Sequence, residues 1–195
     1  MSKKGLKTTC SYIEWDTLLN LIDDLKEEGN LRMCLYISIA SHVGMRAGDI
    51  LRLKWKDLLH KEMFFWKEKK TGKDRTIIIN SKLRSIIHLV AQKKDAYSKM
   101  EDYVFSNRTG LKPISIQYLN RNLDRIFKLY NVPISGNGSS HCLRKSFARR
   151  AYFKLGENEY GLMLIQEVLG HTSIACTRRY LGLRQEEIND VYLQL

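Results

Sequence analysis

Apolar positions recur at helical spacing through most of the chain, and the breaks between stripes fall at glycine, proline and small polar clusters. Trp15, Leu18, Leu19, Ile22 and Leu25 form one stripe, with Ser11-x-x-Glu14 reading as a capping box and Gly29 as the stop. The stretch from Leu31 to about Val43 is apolar on most faces, which predicts a central, buried helix broken by Gly44. Arg46 then falls on the turn before a short helix through Asp49, Ile50 and Leu53. Met63-Phe64-Phe65-Trp66 and Thr76-Ile77-Ile78-Ile79 are short β-rich runs flanking Lys69-Lys70-Thr71-Gly72-Lys73-Asp74-Arg75. That arrangement predicts a hairpin with a basic tip, the one substantial sheet.

Ser81 reads as the cap of a helix running to about Ala96, followed by a short extended piece at Tyr103-Val104-Phe105 and a turn from Asn107 to Gly110. Helical spacing returns in Leu119, Leu123, Ile126, Phe127 and Tyr130, and a loop rich in Gly and Ser spans Pro133 to Ser140. The loop delivers His141 at the start of a helix carrying Leu143, Phe147 and Ala151, so His141 and Arg144 lie about one turn apart on one face. A further apolar helix holds Leu162, Met163, Ile165, Val168 and Leu169 and ends at Gly170, exposing His171, with Thr172 or Ser173 able to cap the segment to Tyr180. Beyond it, Leu181, Leu183, Ile188, Val191, Tyr192 and Leu193 give an amphipathic tail. The expected fold class is mainly α with a small antiparallel β-sheet (α+β), a single domain over residues 1–195, its core at about 9–180 and its tail at 181–195.

The 195 residues carry 33 Lys and Arg against 21 Asp and Glu, a net charge of +12, with a pI near 9.6. Such an excess favours a polyanion, since binding DNA releases condensed counterions and the protein's field speeds encounter; solubility alone is the plainer reading of charge by itself. Cys10, Cys34, Cys142 and Cys176 form neither a Cys-x-x-Cys pair nor a zinc spacing, so reduced thiols in a cytosol are expected. The basic start is not followed by an apolar run that fits a signal peptide, and no stretch approaches the ~18 apolar residues of a membrane span. The expected location is the bacterial cytoplasm, at the nucleoid, with no membrane partner.

Chemistry concentrates in Gly44-Met45-Arg46, His141-Cys142-Leu143-Arg144 and Leu169-Gly170-His171 … Tyr180. Two arginines, two histidines and a tyrosine suit phosphoryl transfer without a metal. A guanidinium pair holds the non-bridging oxygens of a phosphodiester through charge-assisted bonds while a tyrosine hydroxyl attacks phosphorus and becomes esterified. The reaction would be transesterification. No carboxylate cluster with metal-binding spacing appears, and no cofactor is expected. Each residue taken alone has a plainer reading, as an ordinary histidine or a helix-face aromatic; the ordered set does not.

Arg46, His141-x-x-Arg144, Leu169-Gly170-His171 and a tyrosine nine positions later resemble the catalytic domain of the tyrosine recombinases, the phage integrase family, from about residue 9 to the C-terminus. The resemblance implies a site-specific recombinase or integrase acting on double-stranded DNA through a 3′-phosphotyrosyl intermediate. Arg46 and Arg144 would clamp the scissile phosphate, His141 would assist proton removal from the nucleophile Tyr180, and His171 would donate a hydrogen bond to the phosphate. Lys70-Thr71-Gly72 matches a hairpin motif of relatives, making Lys70 the general acid for the leaving 5′-hydroxyl, with Lys69 and Lys73 as neighbours easily mistaken for it. Asp49 stands where relatives often place an acid, to orient an arginine or help the base.

By the same resemblance the protein would be a monomer in isolation and a homotetramer on DNA, with the tail docked on a neighbouring subunit or, equally, packed on its own domain. Most relatives carry a core-binding domain ahead of the catalytic one. Its absence here implies an excised fragment or a catalytic-domain-only recombinase, with weak, salt-sensitive DNA affinity. Two rival readings remain at this point. A type IB topoisomerase shares most of the set but usually has lysine where His141 stands, and a non-catalytic DNA-binding regulator has no chemical need for Tyr180.

Overall fold

The computed structural model describes residues 10–194, the side chains of 184–187 excepted. It is mainly helical with one small antiparallel sheet. In order, the elements are α1 (Trp15–Glu27), α2 (Leu31–Val43), α3 (Ala47–Ile50), α4 (Trp55–Leu58), β1 (Met63–Lys67), β2 (Asp74–Ile78) and α5 (Ser81–Lys93). After a short 3₁₀ turn at Ala96–Ser98 come α6 (Ile116–Leu129), α7 (Ser140–Lys154), α8 (Glu159–Leu169), α9 (Ile174–Leu181) and α10 (Leu183–Gln194). Among the described residues no helix is long and apolar enough to cross a membrane.

The uniform apolarity of α2 has the expected consequence: Met33 through Ser41 are all buried, and the helix packs against α1, α5 and α7. Two hydroxyls inside it turn back on their own helix, Ser38 Oγ donating to Cys34 O and Ser41 Oγ to Ile37 O, each at 2.7 Å, which satisfies both serines, whereas the buried Tyr36 hydroxyl has no partner among the described residues. Gly44 ends α2 in the left-handed region at φ 66°. A Cβ on it would lie 2.2 Å from the Phe147 ring, so both backbone and packing demand glycine at the position that aims Arg46.

A larger core gathers the first six helices, the inner side of the sheet and the start of α7. A smaller one, Ala148, Tyr152, Leu162, Ile165, Leu169, Leu181 and Leu183, joins α7, α8 and α9 and carries His171 and Tyr180. In the hairpin Met63 pairs with Ile78, Phe64 with Ile77 and Trp66 with Arg75. Period-two alternation turns Phe64 and Ile77 inward and leaves Met63, Phe65 and Ile78 exposed.

Several local expectations change. The Ser11-x-x-Glu14 capping box does not form: α1 starts at Trp15 with Glu14 in the cap position and no side-chain cap. Ser11 Oγ instead accepts from Ser135 N at 2.9 Å, tying the N-terminal segment to the loop before α7, and Ile13 N donates to Ser146 Oγ at 2.7 Å. The cap of α5 is Asn80, whose side chain accepts from Leu83 N at 3.0 Å; Ser81 is the first helical residue, and the helix ends at Lys93 rather than Ala96. Tyr103 makes only an isolated bridge with Lys54. Of the two candidates before Tyr180, Ser173 is the cap, accepting from Cys176 N.

Candidate active site

The start of α3, the hairpin tip, the first turns of α6 and α7, the turn after α8 and α9 surround a cavity of about 710 Å³. Arg46, Lys70, His141, Arg144, His171 and Tyr180 all line it, together with Asp49 and Lys69. Lys73 lines a different cavity, which separates it from Lys70; Lys69 is not separated in this way. Among the described residues no group of three or more His, Cys, Asp or Glu side chains is placed to hold a metal ion.

Arg144 is the most deeply set of the cations, 6% exposed. Its guanidinium donates to Gly44 O and, at 2.7 Å, to Leu169 O, bridging the C-terminal ends of α2 and α8. Carbonyls at helix C-termini carry partial negative charge and suit a cation. Arg46 caps α3 from an extended backbone and donates to the same Leu169 O at 3.2 Å and to Glu68 Oε2 at 2.5 Å. The two guanidiniums therefore meet at one carbonyl. Gly170, in the left-handed region at φ 62°, makes this possible, since a Cβ there would come within 2.9 Å of Arg75 Nη2 and 3.7 Å of Arg46 Nη2.

His171 stacks edge-on against the Tyr180 ring, centroids 5.0 Å apart at 72°, and its Nδ1 lies 3.1 Å from the buried Thr177 hydroxyl. Burial and then the charges of Arg144, Arg46 and Arg75 bring its pKa down from 6.5 to about 4. His141 is also lowered, by desolvation first and then by Arg144, Lys145 and Lys70. Both imidazoles are neutral at neutral pH, so His141 is free to accept a proton. Burial raises the Tyr180 phenol, and the charge of Arg144 opposes that rise. Its hydroxyl is buried with no hydrogen-bond partner among the described residues, and Lys145 Nζ lies 5.6 Å from the ring centroid.

Asp49 is buried and orients Arg52, not Arg46: its Oδ1 accepts from Arg52 Nη2 at 2.9 Å and from Lys69 N at 3.1 Å. Three residues escaped the reading of the sequence: Glu68, Arg75 and Thr177. A signal for the first two was present. Counting by twos from the inward Phe64 reaches Trp66 and Glu68, and counting back from Ile79 and Ile77 reaches Arg75, which places one acid and one base on the buried side of the hairpin.

The family model for the phage integrase family matches residues 12–187, nearly the whole chain. The chain belongs to the phage integrase family. It is 28% identical over 190 residues to the tyrosine recombinase XerH of Helicobacter pylori, covering 95% of this chain and 51% of that protein. It is 30% identical over 148 residues to the probable integrase/recombinase YoeC of Bacillus subtilis, covering 76% of each. A solved structure of XerH bound to difH substrate, a pre-cleavage complex, superposes with a TM-score of 0.69 at 25% identity, over 98% of this chain and 57% of that one. This phage integrase domain thus spans about half the length of the Helicobacter relative.

Proposed function

We propose that this domain is a site-specific DNA recombinase or integrase that cuts and rejoins strands through a 3′-phosphotyrosyl bond. The observation that carries the reading is the convergence of Tyr180, both guanidiniums, both imidazoles and Lys70 on one cavity. Arg46 and Arg144 hold the non-bridging oxygens of the scissile phosphate and offset the charge that grows on them. Tyr180 Oη attacks phosphorus while its proton passes to neutral His141. The bond from phosphorus to O5′ breaks, and the leaving oxygen takes a proton from Lys70. His171 donates to the phosphate. The new ester keeps the energy of the old one, so a second 5′-hydroxyl can reverse the step on another strand.

The substrate is double-stranded DNA, a polyanion that the net charge of +12 favours; the similar XerH site-specific recombinase is bound to its difH substrate. We place its work at the bacterial nucleoid and its active assembly as a homotetramer on DNA, formed from monomers. The second part of that reading is supported by α10, where Ile188, Val191, Tyr192 and Leu193 are exposed and available to a neighbouring subunit.

The test begins with a randomised pool of nicked duplexes, from which covalent capture by the protein selects a cleavable sequence. On that sequence the unaltered protein forms an adduct that survives denaturation, whereas Tyr180→Phe shifts the same DNA without attaching to it. Equal shifts of the pool by both proteins with no duplex captured by either would identify a DNA-binding regulator instead.

A further inference from the structure

The hairpin tip is fastened on both sides of Lys70. Lys69 N donates to Asp49 Oδ1 at 3.1 Å, and Thr71 Oγ1 donates to Glu68 Oε2 at 2.6 Å. Glu68 closes the tip further through its backbone, its N–H donating to Lys73 O and its carbonyl accepting from Gly72 N, each at 2.9 Å. The same carboxylate takes Arg46 Nη1 at 2.5 Å and Arg75 Nε at 2.9 Å. It is only 4% exposed, so three segments (the α2–α3 junction, β2 and the tip) grip one buried anion.

A buried carboxylate beside a pocket that collects cations repels the phosphate which that pocket suits, and an ion pair in that position is poor evidence of added stability. Its placement makes sense if it sets geometry. We propose that Glu68 is a positioning residue: it docks the β1–β2 hairpin so that Lys70 reaches the leaving oxygen while Arg46 faces the same phosphate. The inference rests on the strand-transfer reading above. With one Arg46 nitrogen on Glu68 and the other on Leu169 O, the guanidinium plane is fixed and its other N–H groups are left for a ligand. Arg75, the second cation on Glu68, donates to Glu167 O at 3.0 Å and so joins the hairpin to the end of α8, just ahead of His171. Burial alone would raise the Glu68 carboxyl, but the hydrogen bonds from Thr71 and Arg46 and the charge of Arg75 bring it below its ordinary value. The anion therefore persists across the neutral range.

The experiment compares Glu68→Ala, Glu68→Gln and Lys70→Ala with the unaltered protein on the nicked duplex chosen by covalent capture. The duplex is prepared with oxygen or with sulfur at the bridging 5′ position of the scissile phosphate. A thiolate leaves without a proton donor, so Lys70→Ala is rescued by sulfur. Glu68→Ala is expected to lose on the order of a hundredfold on the oxygen substrate, the cost of a small displacement of catalytic groups. On the sulfur substrate it recovers roughly tenfold or more of that loss, the share that acted through the general acid; what remains is the part exerted through Arg46. Glu68→Gln, which keeps an acceptor for Thr71, is expected to fall between. Equal losses on the two substrates would overturn the assignment.

Hydrogen exchange, read on protein free of DNA, separates positioning from global damage. Faster exchange of the amides of Lys69 to Lys73 in Glu68→Ala, with α2 and α7 unchanged, is the expected pattern, and unchanged exchange at the tip would contradict it. Failure of the unaltered protein to capture any duplex from the pool would instead remove the strand-transfer reading, and the role assigned to Glu68 would fall with it.

Discussion

His171 and Tyr180 touch through their rings, yet burial moves their proton equilibria in opposite directions, lowering the imidazole and raising the phenol. For His171 the cations add to burial and hold the folded-state value at about 4 against an ordinary 6.5. Above about 6.5 the imidazole is neutral in both states and the folded state keeps its full advantage. As pH falls through that window the unfolded chain takes up the proton first, so stability declines from about 6.5 down to about 4 and then levels. Melting temperature measured across this range is expected to fall more steeply for the unaltered protein than for His171→Gln. Parallel curves would show that His171 does not titrate as its surroundings require. At this scale much of the candidate site was legible: the arginines, histidines and tyrosine that line one cavity stand out because their chemistry is carried by residue type and order. Glu68 was not, because an acid among lysines looks like a solvated turn until the inward parity of its strand is followed. Thr177 was missed for a similar reason, since nothing local marks a hydroxyl six residues on as the partner of an imidazole.

Elements aim these side chains through their ends, and the ends depend on glycine at two positions where the backbone must turn left. At Gly44 a Cβ would meet the Phe147 ring at 2.2 Å while φ stands at 66°. Gly44→Ala is therefore expected to cost about 2–4 kcal/mol, combining left-handed strain with overpacking, and to lower Tm by roughly 5–15 °C in a chain of this size. Differential scanning calorimetry of Gly44→Ala and of Gly44→Ala with Phe147→Ala tests the cause: the pair should recover the packing share and keep the backbone share. A Tm within a degree of the unaltered protein would contradict it. Helix bodies such as α2 could be read from periodicity because they bury a continuous stripe. Their caps were less legible. Serine, asparagine and aspartate serve almost equally at an N-terminus, and Ser11 found its partner at Ser135, 124 residues away, a choice that only tertiary structure makes.

The whole molecule places its site at the seam between the two cores, with the larger supplying Arg46 and the hairpin and the smaller supplying His171 and Tyr180. Beyond the smaller core α10 carries an apolar surface without cover, Tyr192 at 75% and Leu193 at 84% exposure. The sequence marked this tail as amphipathic but left open what it covers. Among the described residues α9 is its main neighbour in its own chain, and the two helices are joined by Gly182 alone. A chain ending after Glu187 is expected to keep its fold, since Leu181 and Leu183 remain buried, and to keep cleavage of a single site. It should lose the proposed assembly of four protomers on paired sites, as read by sedimentation of the DNA complex. Undiminished assembly would assign the tetramer contacts to another surface.

The central claim is a covalent one, that the phenolic oxygen of Tyr180 displaces O5′ at a single phosphorus. Nuclease digestion of the captured complex followed by tandem mass spectrometry tests it most directly. The account predicts a nucleotide joined through its 3′-phosphate to Tyr180, with the departed strand bearing a free 5′-hydroxyl. A phosphate on any other residue, or a linkage through the 5′ end, would contradict it.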